Sequence, residues 1–295
     1  MSKRKADAEP DAAAVSEPVR EAAGAVGSMR GKSILITGGA QGLGLQVARM
    51  AAQRSARAVT ICDKNCENRE AITREIEGLG AECLVVQCDV GVPEQIEAAV
   101  RAAEERFGSI DGLVNAAGDT SRGDLDSTSV EQWDGQMGVN LRAVFLFTQR
   151  VSQSMRRNAV RGAIVNVASV QAYGGLTFCL GYAVAKAALV ALTKNNAEAL
   201  GRHGIKVNAV NMGWTVTDNE DVLQRAESGA DWVADADRTC ALGRISRPAD
   251  IAHGILFLLS DEAHTTGSVL QLHPEYIHGM LGGGIGKASD VRSEK

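Results

Sequence analysis

Six short apolar runs, most of them followed by stretches with helical spacing, dominate the middle of the chain. They are Ser33-Ile34-Leu35-Ile36-Thr37, Ala58-Val59-Thr60-Ile61-Cys62, Cys83-Leu84-Val85-Val86, Gly112-Leu113-Val114, Ala163-Ile164-Val165-Asn166-Val167 and Lys206-Val207-Asn208-Ala209-Val210. Their apolar residues are continuous rather than alternating, which marks strands buried on both faces. Between them, residues 43–53, 69–79 and 93–106 repeat apolar positions at helical intervals, and the last opens with Pro93 at a first helical position. Strand, helix, strand in this order predicts an α/β fold. Its form is a Rossmann-like doubly wound parallel sheet with helices on both faces. No internal repeat and no second boundary interrupts the pattern, so a single domain is expected.

Composition narrows the class. A hydrophobic share of 45% is ample for a packed core, and a net charge of -5 argues against a nucleic-acid partner. No apolar run approaches the roughly 18 residues of a membrane span. The cysteines, Cys62, Cys66, Cys83, Cys88, Cys179 and Cys240, lack zinc-knuckle spacing and read as reduced, mostly buried thiols. No metal site is expected, and the thiols point to a reducing, cytoplasmic setting. Residues 1–30 mix Lys3, Arg4, Lys5, Arg20 and Arg30 with Asp7, Glu9, Asp11, Glu17 and Glu21, without an apolar cluster. They fit neither a secretory signal nor an organelle transit peptide and read as a disordered tail. The domain is therefore expected over 31–281, and Gly282, Gly283, Gly284 and Gly286 open a flexible end over 282–295.

The first strand runs straight into Thr37-Gly38-Gly39-Ala40-Gln41-Gly42-Leu43-Gly44 and then a helix. Glycines there allow a tight turn and a close backbone approach to a pyrophosphate at the positive helix end. The second strand ends at Asp63, 19 residues beyond Gly44, close to the roughly 20 expected of an acid that binds the adenosine ribose. Such an acid repels a 2′-phosphate, and Gln41 brings no cation into the turn. NAD is therefore expected over NADP, with Lys64 the one residue that softens the preference.

Taken with the motifs that follow, the chain resembles the short-chain dehydrogenase/reductase family in its compact form, over residues 31–268. The turn has that family's TGxxxGxG arrangement. Cys88-Asp89-Val90 matches the place where an Asp meets the adenine ring, and Asn115-Ala116-Ala117-Gly118 matches its NAAG segment. Asn140, Ser169, Tyr182 and Lys186 match its catalytic tetrad; Gly213 and Thr217, with Thr215 between them, match part of its PGxxxT segment. The resemblance implies a cofactor site of Gly38, Gln41, Gly42, Leu43, Gly44, Asp63, Asp89, Val90, Asn115, Ala116, Gly118, Tyr182, Lys186, Gly213, Thr215 and Thr217. It also implies that Ser169 orients the substrate oxygen and that Asn140 holds a proton-relaying water. A homo-oligomer, dimer or tetramer, is implied by family habit, the long helices and C-terminal strands pairing.

The central chemistry also follows from the residues. A tyrosine ionises near pH 10, too high for a base at neutral pH. Lys186 lies four residues after Tyr182, on the same helix face, and its ammonium stabilises the phenolate. Tyr182 can then take a proton from an alcohol as hydride leaves for the cofactor, or give one in reduction.

Two departures stand out. Met212 replaces the family's Pro before Gly213, and Leu272 leads into His273-Pro274-Glu275-Tyr276 where an Asp-Gly-Gly segment is usual. A normal cofactor site with a divergent C-terminal rim is expected. The substrate lid falls within 215–244, where Asn219, Glu220, Asp221, Gln224, Arg225, Glu227, Trp232, Asp235 and Asp237 make a polar set with few rings. Gln171, Tyr173 and Trp214 are the substrate-facing candidates. Together they favour a small-molecule secondary alcohol or ketone, polyhydroxylated like a sugar, polyol or cyclitol. The alternatives are an NADPH-dependent ketoacyl-type reductase and a non-catalytic dinucleotide-binding regulator.

Overall fold

The computed structural model describes residues 27–274. Seven strands form one sheet: β1 (Ser33–Thr37), β2 (Ala58–Asp63), β3 (Glu82–Gln87), β4 (Gly112–Asn115), β5 (Ala163–Ser169), β6 (Lys206–Met212) and β7 (Val269–Leu272). Their order is β3-β2-β1-β4-β5-β6-β7, and every neighbouring pair is parallel. The winding reverses between β1 and β4, and in open α/β sheets the crevice at the carboxyl ends beside such a switch point is where ligands bind.

Nine α-helices accompany the strands among the described residues: α1 (Gly42–Gln53), α2 (Arg69–Gly78), α3 (Pro93–Phe107), α4 (Val130–Met137), α5 (Ala143–Arg157), α6 (Leu180–Gly201), α7 (Asp218–Ser228), α8 (Trp232–Thr239) and α9 (Pro248–Leu259). The strands explain their own composition. In β1, Ile34 and Ile36 join the core under α1, α2 and α9, whereas Leu35 joins the core under α3, α5 and α6. Both faces are covered, so apolar side chains fill most strand positions and a buried polar group there carries a desolvation cost unless it is paired. Each such buried aliphatic side chain is worth about 1.5–3 kcal/mol relative to exposure.

Around Asn140 the helix is interrupted. Residues Gly138–Arg142 form a π turn between α4 and α5. Such wide turns insert one extra residue into a helix and occur often at functional sites. Met212, where a proline was expected, closes β6 in register with Ser169 and Leu272, and Gly213 N–H donates to Leu272 O at 3.2 Å.

Four residues assigned to the tail belong to the folded body. Met29 is fully buried in the α1–α9 core, its N–H donates to Arg54 O at 2.9 Å, and Gly27 N–H donates to the Glu262 carboxylate at 2.6 Å. The domain thus begins ahead of Gly31. The tail over 1–26 and the C-terminal end, including Glu275, Tyr276, Leu281 and the glycines 282–286, lie outside the described residues. All six cysteines are free, and all but the half-buried Cys240 are buried. Burial pushes the Cys83 and Cys88 thiols up to about 11. Among the described residues no cluster of metal-ligating side chains occurs, and no helix is long and apolar enough to cross a membrane.

Candidate active site

The glycine turn packs so tightly that side chains are excluded. Gly38 takes a left-handed φ of 65°, and a Cβ there would lie 2.8 Å from Ala117 Cα. A Cβ on Gly44 would meet Gly38 O at 2.1 Å, which locks α1 against the end of β1. Thr37 fixes the neighbouring segment: its Oγ1 accepts from the N–H groups of Ala116 and Ala117, both at 3.1 Å. The N–H groups of Leu43 and Gly44, at the start of α1, meet no acceptor among the described residues. Bare donors at the positive end of a twelve-residue helix, beside a glycine-rich turn, fit a dinucleotide pyrophosphate.

Asp63 closes β2 beside this cradle. One carboxylate oxygen accepts from Ala40 N–H at 3.1 Å and the other from Asn65 N–H at 3.1 Å. The acid therefore ties the second strand to the glycine turn while staying half-buried at its rim. Asp89 is exposed just beyond β3, one carboxylate oxygen accepting from Gly91 N–H at 2.8 Å, and Val90 is buried beside it. The Asn115 side chain turns inward. Its amide donates inward to Asn166 Oδ1 at 2.8 Å; Asn166 donates to Thr193 Oγ1 at 2.9 Å, and Thr193 to Leu189 O at 2.8 Å. That buried ladder joins β4 and β5 to α6, so the Asn115 side chain serves the sheet. Its neighbours Ala116 and Gly118 stay at the rim, Gly118 against Asn140 Oδ1.

Ser169 ends β5, and its Oγ accepts from Gln171 N–H at 3.1 Å. Tyr182 sits in the first turn of α6, and Lys186 follows one turn later on the same face. Its Nζ lies 5.4 Å from the Tyr182 ring centroid and donates to Val167 O at 2.7 Å. Strand β5 thus carries both Ser169 and the carbonyl that anchors the lysine. Burial pushes the Tyr182 phenol up to about 12; Cys179 and Glu220 add to this, while a hydrogen bond with Ser169 and the Arg122 charge oppose it. Burial alone pulls the Lys186 ammonium down to about 8. The fully buried Asn140 makes no bond to its own helix. Its amide donates to Asp119 O at 2.9 Å and its carbonyl accepts from Asp119 N–H at 3.1 Å. The π turn thus grips the loop after β4, through an Asp119 that the sequence did not single out.

Beyond Tyr182, the lid consists of α7 and α8 around a small core of Trp232, Ala236 and Ile245, with Trp214 stacked on Trp232 at 5.5 Å. Most of its acids are engaged within it. Asp221 pairs with Arg225 and accepts from Trp232 Nε1; Asp237 pairs with Arg247; Asp235 pairs with Arg238. These pairs tie the lid to itself and, through Arg247, to the start of α9. Glu220 differs: it accepts from Trp214 Nε1 at 2.8 Å and from Gln224 at 3.0 Å, and pairs loosely with Arg122 at 3.4 Å. Arg122, a half-buried cation next to Cys179 and stacked on Phe178, was missed from sequence because nothing local marks it. Gln171 bonds internally only through its backbone, and Tyr173 is half exposed. Thr215 spends its hydroxyl on Gly213 O at 3.0 Å, and Thr217 caps α7 against the glycine turn.

An open parallel sheet with an anion cradle at its switch point, and a serine, tyrosine and lysine converging at the carboxyl edge, defines a dinucleotide-binding oxidoreductase. The comparisons with known proteins agree. A family model described as Enoyl-(Acyl carrier protein) reductase matches residues 38–272. The 3-oxoacyl-[acyl-carrier-protein] reductase FabG of Staphylococcus aureus is 32% identical over 82% of this chain and 96% of its own length. The 3-alpha-(or 20-beta)-hydroxysteroid dehydrogenase of Mycobacterium bovis is 32% identical over 91% of this chain and 97% of its own. A crystal structure of a short-chain type dehydrogenase/reductase from Mycobacterium marinum superposes with a TM-score of 0.77 at 29% identity, covering 84% of this chain and 96% of that one. The chain belongs to the short-chain dehydrogenase/reductase family, whose members are oxidoreductases that bind NAD(P).

Proposed function

We propose that this chain is an NAD-dependent dehydrogenase or ketone reductase that acts on a secondary alcohol or ketone, with Tyr182 as its acid and base. When bound, the nicotinamide supplies the hydride acceptor for oxidation or the donor for reduction. Tyr182 Oη moves the proton at the substrate oxygen, and Ser169 Oγ holds that same oxygen. In reduction the neutral phenol is already the required form. In oxidation the Lys186 ammonium, 5.4 Å from the ring, favours the phenolate, and each pKa unit so gained corresponds to 1.36 kcal/mol. Oxidation is therefore expected to speed up, and reduction to slow down, as pH rises toward about 8, while Lys186 still carries its charge. Asn140 fixes the loop after β4 that borders this face.

The observation that carries the NAD reading is Asp63, a carboxylate held at the cradle's rim by Ala40 N–H. A 2′-phosphate would meet that charge, and the turn itself contains no cation. Gln171 and Tyr173 follow Ser169 closely in the chain and Trp214 follows the end of β6; we assign them to the substrate pocket, for a small polyhydroxylated substrate such as a sugar, polyol or cyclitol. One observation favours the second reading, an NADPH-dependent ketoacyl-type reductase: Lys64 and Arg69 line a hollow next to Asp63 that would suit a phosphate. Titrating NADH and NADPH by fluorescence separates the two. Asp63→Ala is expected to weaken NADH binding roughly tenfold, as for the loss of a charge-assisted hydrogen bond, and to improve relative NADPH binding. An unchanged preference contradicts the ribose contact. A homo-oligomer in a reducing cytoplasm completes the proposal, in keeping with the six free thiols.

A further inference from the structure

The first turn of α7 carries three carboxylates, Asp218, Glu220 and Asp221, and each has a different client. Asp221 holds Arg225 and Trp232; Glu220 holds Trp214, Gln224 and Arg122. Asp218 reaches the opposite way, to α1. Its Oδ2 accepts from Gly42 N–H at 2.9 Å, and the adjacent Asn219 Oδ1 accepts from the Gln41 side-chain amide at 3.1 Å. Gly42 N–H opens the same row of donors whose next two members, on Leu43 and Gly44, are bare. A carboxylate is thus seated at one edge of the anion cradle, where the positive end of α1 favours it.

We propose that Asp218 competes with the cofactor's pyrophosphate for the N-terminus of α1 and so determines how tightly the dinucleotide is held. The proposal rests on the cofactor site assigned above. A pyrophosphate brings two negative charges to donors that Asp218 already shares. Asp218 must then either leave Gly42, drawing the start of α7 with it, or remain and repel the ligand. Either outcome lowers affinity and favours release, the step that limits turnover in many enzymes with lids. The anchors on the other side of α7, Trp214 and Arg122, keep the lid in place while its first residue yields. Thr217, not Asp218, caps α7, so the carboxylate can be removed without loss of the helix cap.

The test is a fluorescence titration of NADH against wild type, Asp218→Asn, Asp218→Ala and Asn219→Ala, at low and at high salt. Both Asp218 variants are expected to bind NADH about three- to tenfold more tightly at low salt, the gain shrinking as salt screens the repulsion. Asn219→Ala, which removes the contact with Gln41 but keeps the charge, is expected to stay within about twofold of wild type. Unchanged or weaker binding by the Asp218 variants overturns the proposal. So does equal tightening by Asn219→Ala, which would place the effect in lid tethering rather than charge. If wild type binds neither NADH nor NADPH, the cofactor assignment falls and this proposal with it.

Discussion

Lys186 concentrates the electrostatic tension of the site in one residue. Its ammonium is enclosed by protein, its one hydrogen-bond partner among the described residues is the neutral Val167 carbonyl, and burial pulls it down to about 8 from an ordinary 10.5. Below about pH 8 the group is charged in both folded and unfolded chains, and the cost of burial is felt in full. Between about 8 and 10.5 the folded protein gives up the proton ahead of the unfolded chain, so folding stability rises with pH. Wild type should therefore gain stability relative to Lys186→Met across that window in urea unfolding at pH 7.5 and pH 10; curves that stay parallel contradict the burial of a charge. Tyr182 works in the opposite sense above pH 10, but both proteins share it. The convergence of Ser169, Tyr182 and Lys186 was legible because helical spacing and a strand end fix their positions. Thr37, Asp119 and Arg122 were not, since each acts on residues whose proximity only the fold creates. The partners of the lid acids were illegible for a related reason: a carboxylate in a sequence does not reveal whether its partner is a substrate or the arginine one turn away.

At the scale of elements, periodicity served the regular pieces well and the irregular ones poorly. Helices α1, α2 and α3 fall within a residue of their expected bounds, because each buries one stripe against a covered sheet. The helical stretch through Asn140 kept its apolar spacing in sequence, yet the structure inserts a π turn that redirects Asn140 to Asp119. An extra residue in one turn shifts the stripe too little to be read. Strand β7 was visible only through the family resemblance, because its half-buried run Val269-Leu270-Gln271-Leu272 is broken by an exposed glutamine. The lid carries its own core, and its energetics are correspondingly local. Trp232 is about 1% exposed, and Trp→Ala in a packed core costs about 3–5 kcal/mol. Because Trp232 and Ala236 of α8 pack with Ile245 in a satellite cluster apart from the sheet cores, Trp232→Ala should raise KM severalfold while the main thermal transition moves little. A collapse of the whole fold would show instead that the lid core is continuous with the sheet.

For the molecule as a whole, the doubly wound sheet was legible from six continuous apolar runs, since only strands covered on both faces have that composition. The start of the domain was not, because Met29 is a lone apolar residue among polar neighbours and its burial depends on a pocket between α1 and α9. The outer faces of α4, α5 and α6 leave a groove of about 800 Å³ lined by Met137, Leu141, Phe145, Ala188 and Leu192. Phe145 is 43% exposed there, a poor arrangement for a monomer in water. A dimer or tetramer paired through these long helices is expected by light scattering, with Phe145→Asp shifted to a smaller species; a monomeric wild type contradicts the pairing.

The most direct test of the central claim follows absorbance at the reduced-nicotinamide band with NAD and NADP against a panel of sugars, polyols and cyclic alcohols and ketones, for wild type and Tyr182→Phe. The account predicts turnover by wild type with NAD favoured, and loss of turnover in Tyr182→Phe with NADH affinity nearly intact. Cofactor binding without turnover on any alcohol or ketone, or a Tyr182→Phe variant as active as wild type, would contradict it.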